Sequence, residues 1–366
     1  MRFKIPVAEP ELGEEELKNV LEAVKSGWIS SKGSFVHEFE RKFAEYIGVK
    51  YAIAVMNGTV ALHLALVALG IGRGDEVLIP DLTFISPASM TALTGATPVF
   101  VDVHPKYWCM DPENVERKIT PKTKAMIVVH LYGHPADVGP LLKIAKEHNI
   151  YVIEDCAEAH GAEYKGQKVG SFGTISCFSF YANINVLDGE GGMCLTNDEK
   201  LADKIRLLHD HGMRPERRYW HETLGFNYRM TNLQAAVGVA QLKKIDEFIR
   251  RKRKIADIYN ESLRNVNGIT LPPEMSWAKN VYWMYSILIE DSFALTRDEL
   301  MRKLEKEGVE TRLFFYPIHT LPSYESNESF TVSEELCRRG LNLPSSVKLK
   351  KEEAEKVTNL IKKLSQ

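Results

Sequence analysis

The chain has 366 residues, 44% of them hydrophobic and 26% charged, with a formal net charge of -2. That balance supplies core for two domains, or for one large domain with a smaller one appended, and it argues against a nucleic-acid or membrane-surface partner held by bulk charge. No apolar run reaches the about 18 residues needed to cross a bilayer, and the opening MRFKIPVAEPELGEEELK lacks a signal-peptide core, so no membrane partner and a cytoplasmic location are expected.

The first helix is read from Leu17, Val20, Leu21 and Val24, spaced i, i+3, i+4, i+7, opened by acidic residues and closed by Gly27. Short apolar strands then alternate with longer segments. Tyr51–Val55 leads into the helical TVALHLALVALG, and Glu76–Pro80 is followed by a helix through Pro87–Thr94. Pro98–Val103 and Ala125–Gly133 are further strands, with a helix around Gly139–His148. Tyr151–Asp155, Thr174–Phe180 and Gly192–Thr196 complete the set. Strands that are apolar throughout, joined by helix-length connections, predict an α/β fold with a mostly parallel sheet buried on both faces.

Past residue 240 the pattern changes. Leu242–Leu263 reads as one long charged helix, VYWMYSILIE as a strand, and RDELMRKLEKEG and KEEAEKVTNLIKKL as amphipathic helices. The expected division is a large α/β domain over 1–240 and a smaller α+β domain over 241–366. The basic run Arg250–Lys254 reads as a solvated helix face, because acidic residues surround it. Cys109, Cys156, Cys177, Cys194 and Cys337 form no CxxC pair and read as free thiols rather than disulfides or metal ligands.

Three segments carry possible chemistry. Gly58 and Thr59 follow a strand and open a helix, which makes either an ordinary capped turn or an anion pocket suited to phosphate. Asp155 ends an apolar strand, where α/β sheets present ligands, so it is either a ligand contact or a strand-end cap for the next helix, and Glu158 and His160 follow in a Gly-rich stretch too short for a routine helix. Ser179 and the glycines at 189, 191 and 192 lie between two strands, in a sharp hairpin or a loop shaped around a cofactor.

In order, IPVAEPELGEEEL, SGWISSKGSFVHEFERKFAEYIG, NGTVALHLAL, PDLTFISP, IEDCAEAHGA, VGSFGTISCFSF, GEGGMC, HDHGM, GFNYRMTNLQAAVG and RLFFYPIH run nearly end to end. Together they resemble the DegT/DnrJ/EryC1/StrS sugar aminotransferases, enzymes of aspartate-aminotransferase fold (fold type I) that use pyridoxal 5'-phosphate (PLP), and within that family its GDP-perosamine-forming branch. The resemblance implies that Gly58, Thr59 and Ser179 bind the cofactor phosphate, Phe84 stacks on the pyridine ring, Asp155 pairs with the ring nitrogen, and Glu158 lies near the phenolic oxygen. It also implies that Asn227 reaches the cofactor of the neighbouring subunit in a homodimer with shared sites. Arg229, Tyr316 and His319 would approach the sugar nucleotide, glutamate would be the amino donor, and GDP-4-keto-6-deoxymannose the acceptor.

One position departs from the pattern. Ile184 stands where the family carries its Schiff-base lysine, inside Ile184-Asn185-Val186-Leu187-Asp188, with the gap to GEGG unchanged and no lysine between Lys168 and Lys200. Isoleucine can neither link the cofactor nor move its proton, so PLP or PMP is expected to bind non-covalently and turnover to be absent or slow. Histidine, which replaces this lysine in related sugar dehydratases, is absent too. A non-catalytic binder of PLP, PMP or a sugar nucleotide, or a lysine-less enzyme using Asp188 or His160 as base, are the alternatives.

Overall fold

Strands form where apolar residues run without interruption, and each sends alternate side chains to opposite faces of one sheet. On Tyr51–Val55, Ile53 and Val55 pack into one core cluster while Ala52 and Ala54 pack into another. On Thr123–Val129, Met126 and Val128 face one side, and Ala125, Ile127 and Val129 the other. Burial of both faces explains the missing polar alternation. The computed structural model describes residues 3–182 and 188–365.

In chain order the elements begin with helices α1 (Glu14–Ser26) and α2 (Ser34–Ile47), strand β1 (Tyr51–Val55), α3 (Gly58–Leu69), β2 (Glu76–Pro80), α4 (Ser86–Leu93) and β3 (Thr97–Val101). There follow α5 (Pro112–Lys118), β4 (Thr123–Val129), α6 (Val138–His148), β5 (Tyr151–Asp155), and the short β6 (Glu163–Tyr164) and β7 (Gln167–Lys168). Next come β8 (Ile175–Ser179), β9 (Gly192–Thr196), α7 (Glu199–His209), α8 (Asn232–Leu242) and α9 (Ile245–Leu263). The last stretch holds β10 (Ile269–Thr270), β11 (Ala278–Lys279), β12 (Tyr285–Ile289), α10 (Arg297–Lys306), β13 (Arg312–Leu313), α11 (Thr331–Arg339), β14 (Gly340–Leu343) and α12 (Lys351–Leu364).

The main sheet has the order β1-β9-β8-β5-β4-β2-β3, and β9 alone runs against the other six strands. The carboxyl ends of β2, β4, β5 and β8 therefore lie on one edge, together with the turn that leaves β1 for α3. A second sheet, β10-β12-β14-β13, is antiparallel and lies entirely in the C-terminal third of the chain. Among the described residues no helix is long and apolar enough to cross a membrane.

Three sequence expectations shift. The long helix read from Leu242 is two: α8 ends at Leu242, a turn through Lys243 and Lys244 intervenes, and α9 starts at Ile245. The basic run on α9 is not simply a solvated face. Lys252 is buried, its Nζ donating to the carbonyls of Trp283 (3.0 Å) and Ser345 (2.7 Å), while Arg250 and Arg251 pair with Glu247, and Arg253 with Glu274. Finally, α1 packs inward through Glu16, Asn19 and Ala23, leaving Leu17, Leu21 and Val24 half-exposed or more. Four of the five cysteines are buried and all five are free thiols.

Candidate active site

The carboxyl edge of the main sheet opens onto a cavity of about 500 Å³. One wall is the start of α3. Asn57 caps that helix by accepting the Val60 N–H at 3.0 Å, and Gly58 lies against β8 so closely that a Cβ there would sit 2.6 Å from the Ser179 Cβ. Gly192 on β9 presses on the same turn, since a Cβ there would meet the Asn57 carbonyl at 2.4 Å. Only glycine permits this three-way approach, which brings Gly58, Thr59 and Ser179 together at a helix N-terminus. Among the described residues, the N–H groups of Gly58 and Thr59 have no hydrogen-bond partner, while the Thr59 hydroxyl lies 2.9 Å from that of Ser86.

Two carboxyls form the floor. Asp155, the last residue of β5, is buried, and its Oδ1 accepts the Ala157 N–H at 3.1 Å. Burial pushes its pKa up to about 6, against the lowering effect of that hydrogen bond. Glu158 is held by the Tyr132 N–H, donated to Oε2 at 2.7 Å; burial drives its carboxyl well above the ordinary range, and the neighbouring Asp155 charge adds to the rise. Tyr132 follows β4 with φ at 52°, a left-handed conformation that a bulky side chain adopts only where its surroundings hold it. Its ring lies 5.4 Å from that of Phe315 in a stacked pair, and its hydroxyl accepts the Phe315 N–H at 2.9 Å.

Gly58, Thr59, Phe84, Asp155, Glu158 and Ser179 all line this cavity. Phe84 is 53% exposed at the rim, its ring edge-on to Phe315 at 5.9 Å. Other sequence candidates lie elsewhere. Asn227 accepts hydrogen bonds from Arg229, whose guanidinium also pairs with Asp210 at 2.7 Å, and neither residue lines the chain's own cavity. Tyr316 is exposed and outside the lining. His319 is buried against Asp81, with its Nδ1 2.7 Å from Asp81 Oδ2 and its backbone N–H donating to Asp81 Oδ1 at 2.9 Å; it ties the FFYPIH segment to the end of β2. Ile184 lies outside the described residues. His160 sits among Phe43, Phe178 and Phe180 behind the site, and burial lowers its pKa to about 3. Asp188 is buried, with neither carboxylate oxygen partnered among the described residues, and like His160 it does not line the cavity.

Sequence reasoning passed over Tyr132, Trp283, Arg312 and Asn342, which also line the cavity. The last two come from the C-terminal sheet, and no local pattern in the sequence announces that β13 and β14 fold back onto the carboxyl edge. Behind the floor, buried Glu154 accepts the N–H groups of Gly170, Phe172 and Gly173 and faces His130 Nε2 at 3.2 Å. His130 Nδ1 accepts the Ala136 N–H, so its proton sits on Nε2 and is donated to Glu154. That network fixes the Gly-rich stretch before β8.

A model of the DegT/DnrJ/EryC1/StrS aminotransferase family matches residues 10–362. The chain belongs to this family. Similar curated proteins include the GDP-perosamine synthases of Escherichia coli O157:H7, 49% identical over 350 residues with 95% of each chain covered, and of Caulobacter vibrioides, 46% identical over 357 residues with 97% of this chain and 96% of the relative covered. Among solved structures, Spr1654 of Streptococcus pneumoniae in its PLP form aligns with a TM-score of 0.93 at 27% identity, covering 99% of this chain and 98% of that one. The family and its structural neighbours are PLP- or PMP-dependent aminotransferases of fold type I. The cavity suits that cofactor. A helix N-terminus with unclaimed N–H groups and two hydroxyls fits a phosphate, and a buried carboxylate raised by desolvation gains from a cationic ring nitrogen opposite it.

Proposed function

We propose that this chain is a sugar-nucleotide aminotransferase of the perosamine-forming type, with glutamate as amino donor and a GDP-4-keto-6-deoxy sugar as acceptor, in which Ile184 has removed or greatly slowed turnover. The observation that carries the reading is a missing amine. No described residue lining the cavity is a lysine, and the sequence has none between Lys168 and Lys200. Two other lysines are engaged elsewhere: Lys168 lies over the Tyr46 ring at 4.5 Å, and buried Lys252 donates to the carbonyls of Trp283 and Ser345.

Gly58, Thr59 and Ser179 would hold the cofactor phosphate, Phe84 would cover the ring, Asp155 would keep its nitrogen protonated, and Glu158 would face its phenolic oxygen. When bound, PLP supplies an electron sink and carries the amino group between donor and acceptor. The protein's part is to orient the donor, exclude water and move one proton. Asp155, buried at the end of β5, performs the electrostatic share. The proton-moving share falls to a base within reach of the reacting carbon, and an isoleucine at 184 has no titratable atom. Loss of such a base lowers the rate by about two to four orders of magnitude.

The proposal includes a homodimer in which Asn227 reaches the cofactor phosphate of the neighbouring subunit, while Arg229 is assigned to the sugar nucleotide. Tyr316 and His319 are assigned to the sugar-nucleotide side, His319 by fixing the segment that carries Tyr316. A lysine-less enzyme would have Asp188 or His160 to draw on, and their placement outside the lining favours the first reading.

Restoring the amine tests the proposal. Ile184→Lys should raise glutamate-dependent amination of GDP-4-keto-6-deoxymannose by about two orders of magnitude or more. An unchanged rate in a folded, PLP-loaded variant would show that position 184 is not where the base belongs.

A further inference from the structure

The cavity is acidic: Asp155, Glu158 and Glu190 all line it. An amino-acid donor must nevertheless enter with at least one carboxylate. A single basic side chain among the described lining residues can receive it, that of Arg312. We propose that Arg312 binds the carboxylate of the amino donor and of the keto acid it becomes. This deepens the aminotransferase reading and rests on it.

Three features suit Arg312 to the task. Among the described residues its one charged partner is Glu310, 3.6 Å away, beyond hydrogen-bond distance, and Glu310 is itself engaged by the Val7 N–H at 2.9 Å. The guanidinium thus keeps its donors available as a planar fork that matches a carboxylate in bidentate geometry. Second, its support is stiff. Arg312 on β13 stands directly opposite Asn342 on β14, and both line the cavity. Directly opposed residues share a face of the sheet. Asn342 is fixed on both sides, accepting from the Ser286 hydroxyl at 2.6 Å and donating to the Leu313 carbonyl at 3.2 Å. Third, Arg312 belongs to the C-terminal sheet, whereas the phosphate-suited turn belongs to α3 and β8. Two anions of one reaction, cofactor phosphate and donor carboxylate, therefore have separate receptors.

The test is calorimetric titration of the PMP-loaded protein with 2-oxoglutarate and, separately, with GDP. Arg312→Met should weaken 2-oxoglutarate binding by about tenfold or more and leave GDP binding within about twofold, with Arg312→Lys falling between wild type and the methionine variant. Retained PMP absorbance would show that the cavity persists in each variant. Unchanged 2-oxoglutarate affinity in both variants, or no binding of it by the wild type, would overturn the inference. So would a loss confined to GDP, which would assign Arg312 to the diphosphate. If GDP fails to bind the wild type while 2-oxoglutarate binding still depends on Arg312, the GDP-sugar reading falls and this one stands.

Discussion

Asp155 shows how one residue's environment suits a cavity to a cationic partner before that partner arrives. Its pKa of about 6, against an ordinary 3.8, means the folded, cofactor-free chain holds this proton more tightly than the unfolded chain does. The sign follows: stability falls as pH rises from the unfolded value to the folded one, by about 3 kcal/mol in all, and stays at that lower level above it. A cationic ring nitrogen opposite Asp155 returns that energy only where the carboxylate is ionised. The increase in Tm on adding PLP should therefore be larger near pH ~8 than near pH ~5, and Asp155→Asn should abolish the difference. An increase in Tm that is the same at both pH values in the wild type would mean that Asp155 does not face a charged group. Asp155 stood out in the sequence because it ends an apolar strand, and the structure places it in the cavity lining. Arg312 did not, since an arginine before LFFYP looks like any strand-end charge until β13 is paired with β14 at the cavity.

Helix α1 teaches the limit of periodicity. The spacing of Leu17, Val20, Leu21 and Val24 marks a helix, and the helix is there, but of the stripe only Val20 packs against the chain's own core, while Leu17, Leu21 and Val24 are exposed. The inward face is mixed, with Ala23 and Val20 in or against the core and two polar residues beside them. Asn19 donates to the Ala236 carbonyl at 3.0 Å, and Glu16 accepts from Gln241 at 2.7 Å and pairs with Lys244. Amphipathic spacing says that an apolar face needs covering; it does not say by which chain. Leu17 at 65% exposure and Val24 at 54%, with Trp28 and Ile29 beyond them, fit the proposed homodimer interface. The double substitution Leu17→Asp with Leu21→Asp should halve the mass measured by light scattering while leaving the helical circular dichroism intact. An unchanged mass would place the dimer contact elsewhere. A similar limit made one helix of α8 and α9: apolar spacing continues across Lys243 and Lys244, and nothing in composition marks a turn that lacks glycine and proline.

Across the whole molecule, the order of apolar strands gave the layered α/β architecture, because a sheet buried on both faces writes itself into the sequence as unbroken hydrophobic runs. The way in which the C-terminal sheet closes over the carboxyl edge was hidden, since Tyr132, Trp283 and Asn342 meet there from segments far apart in the chain. That closure produces a pocket lined by the turn at Gly58 and Thr59, the carboxyls of Asp155 and Glu158, and Arg312, and the proposal adds that Ile184 stands where the family's lysine would act. The most direct test of this account is borohydride reduction of the PLP-loaded protein followed by peptide mass analysis, with the visible spectrum taken before and after. The account predicts bound PLP, a spectrum of free aldehyde character, and no reduced adduct on any lysine. A pyridoxyl group mapped to any lysine would contradict it and show that another amine forms the link to the cofactor.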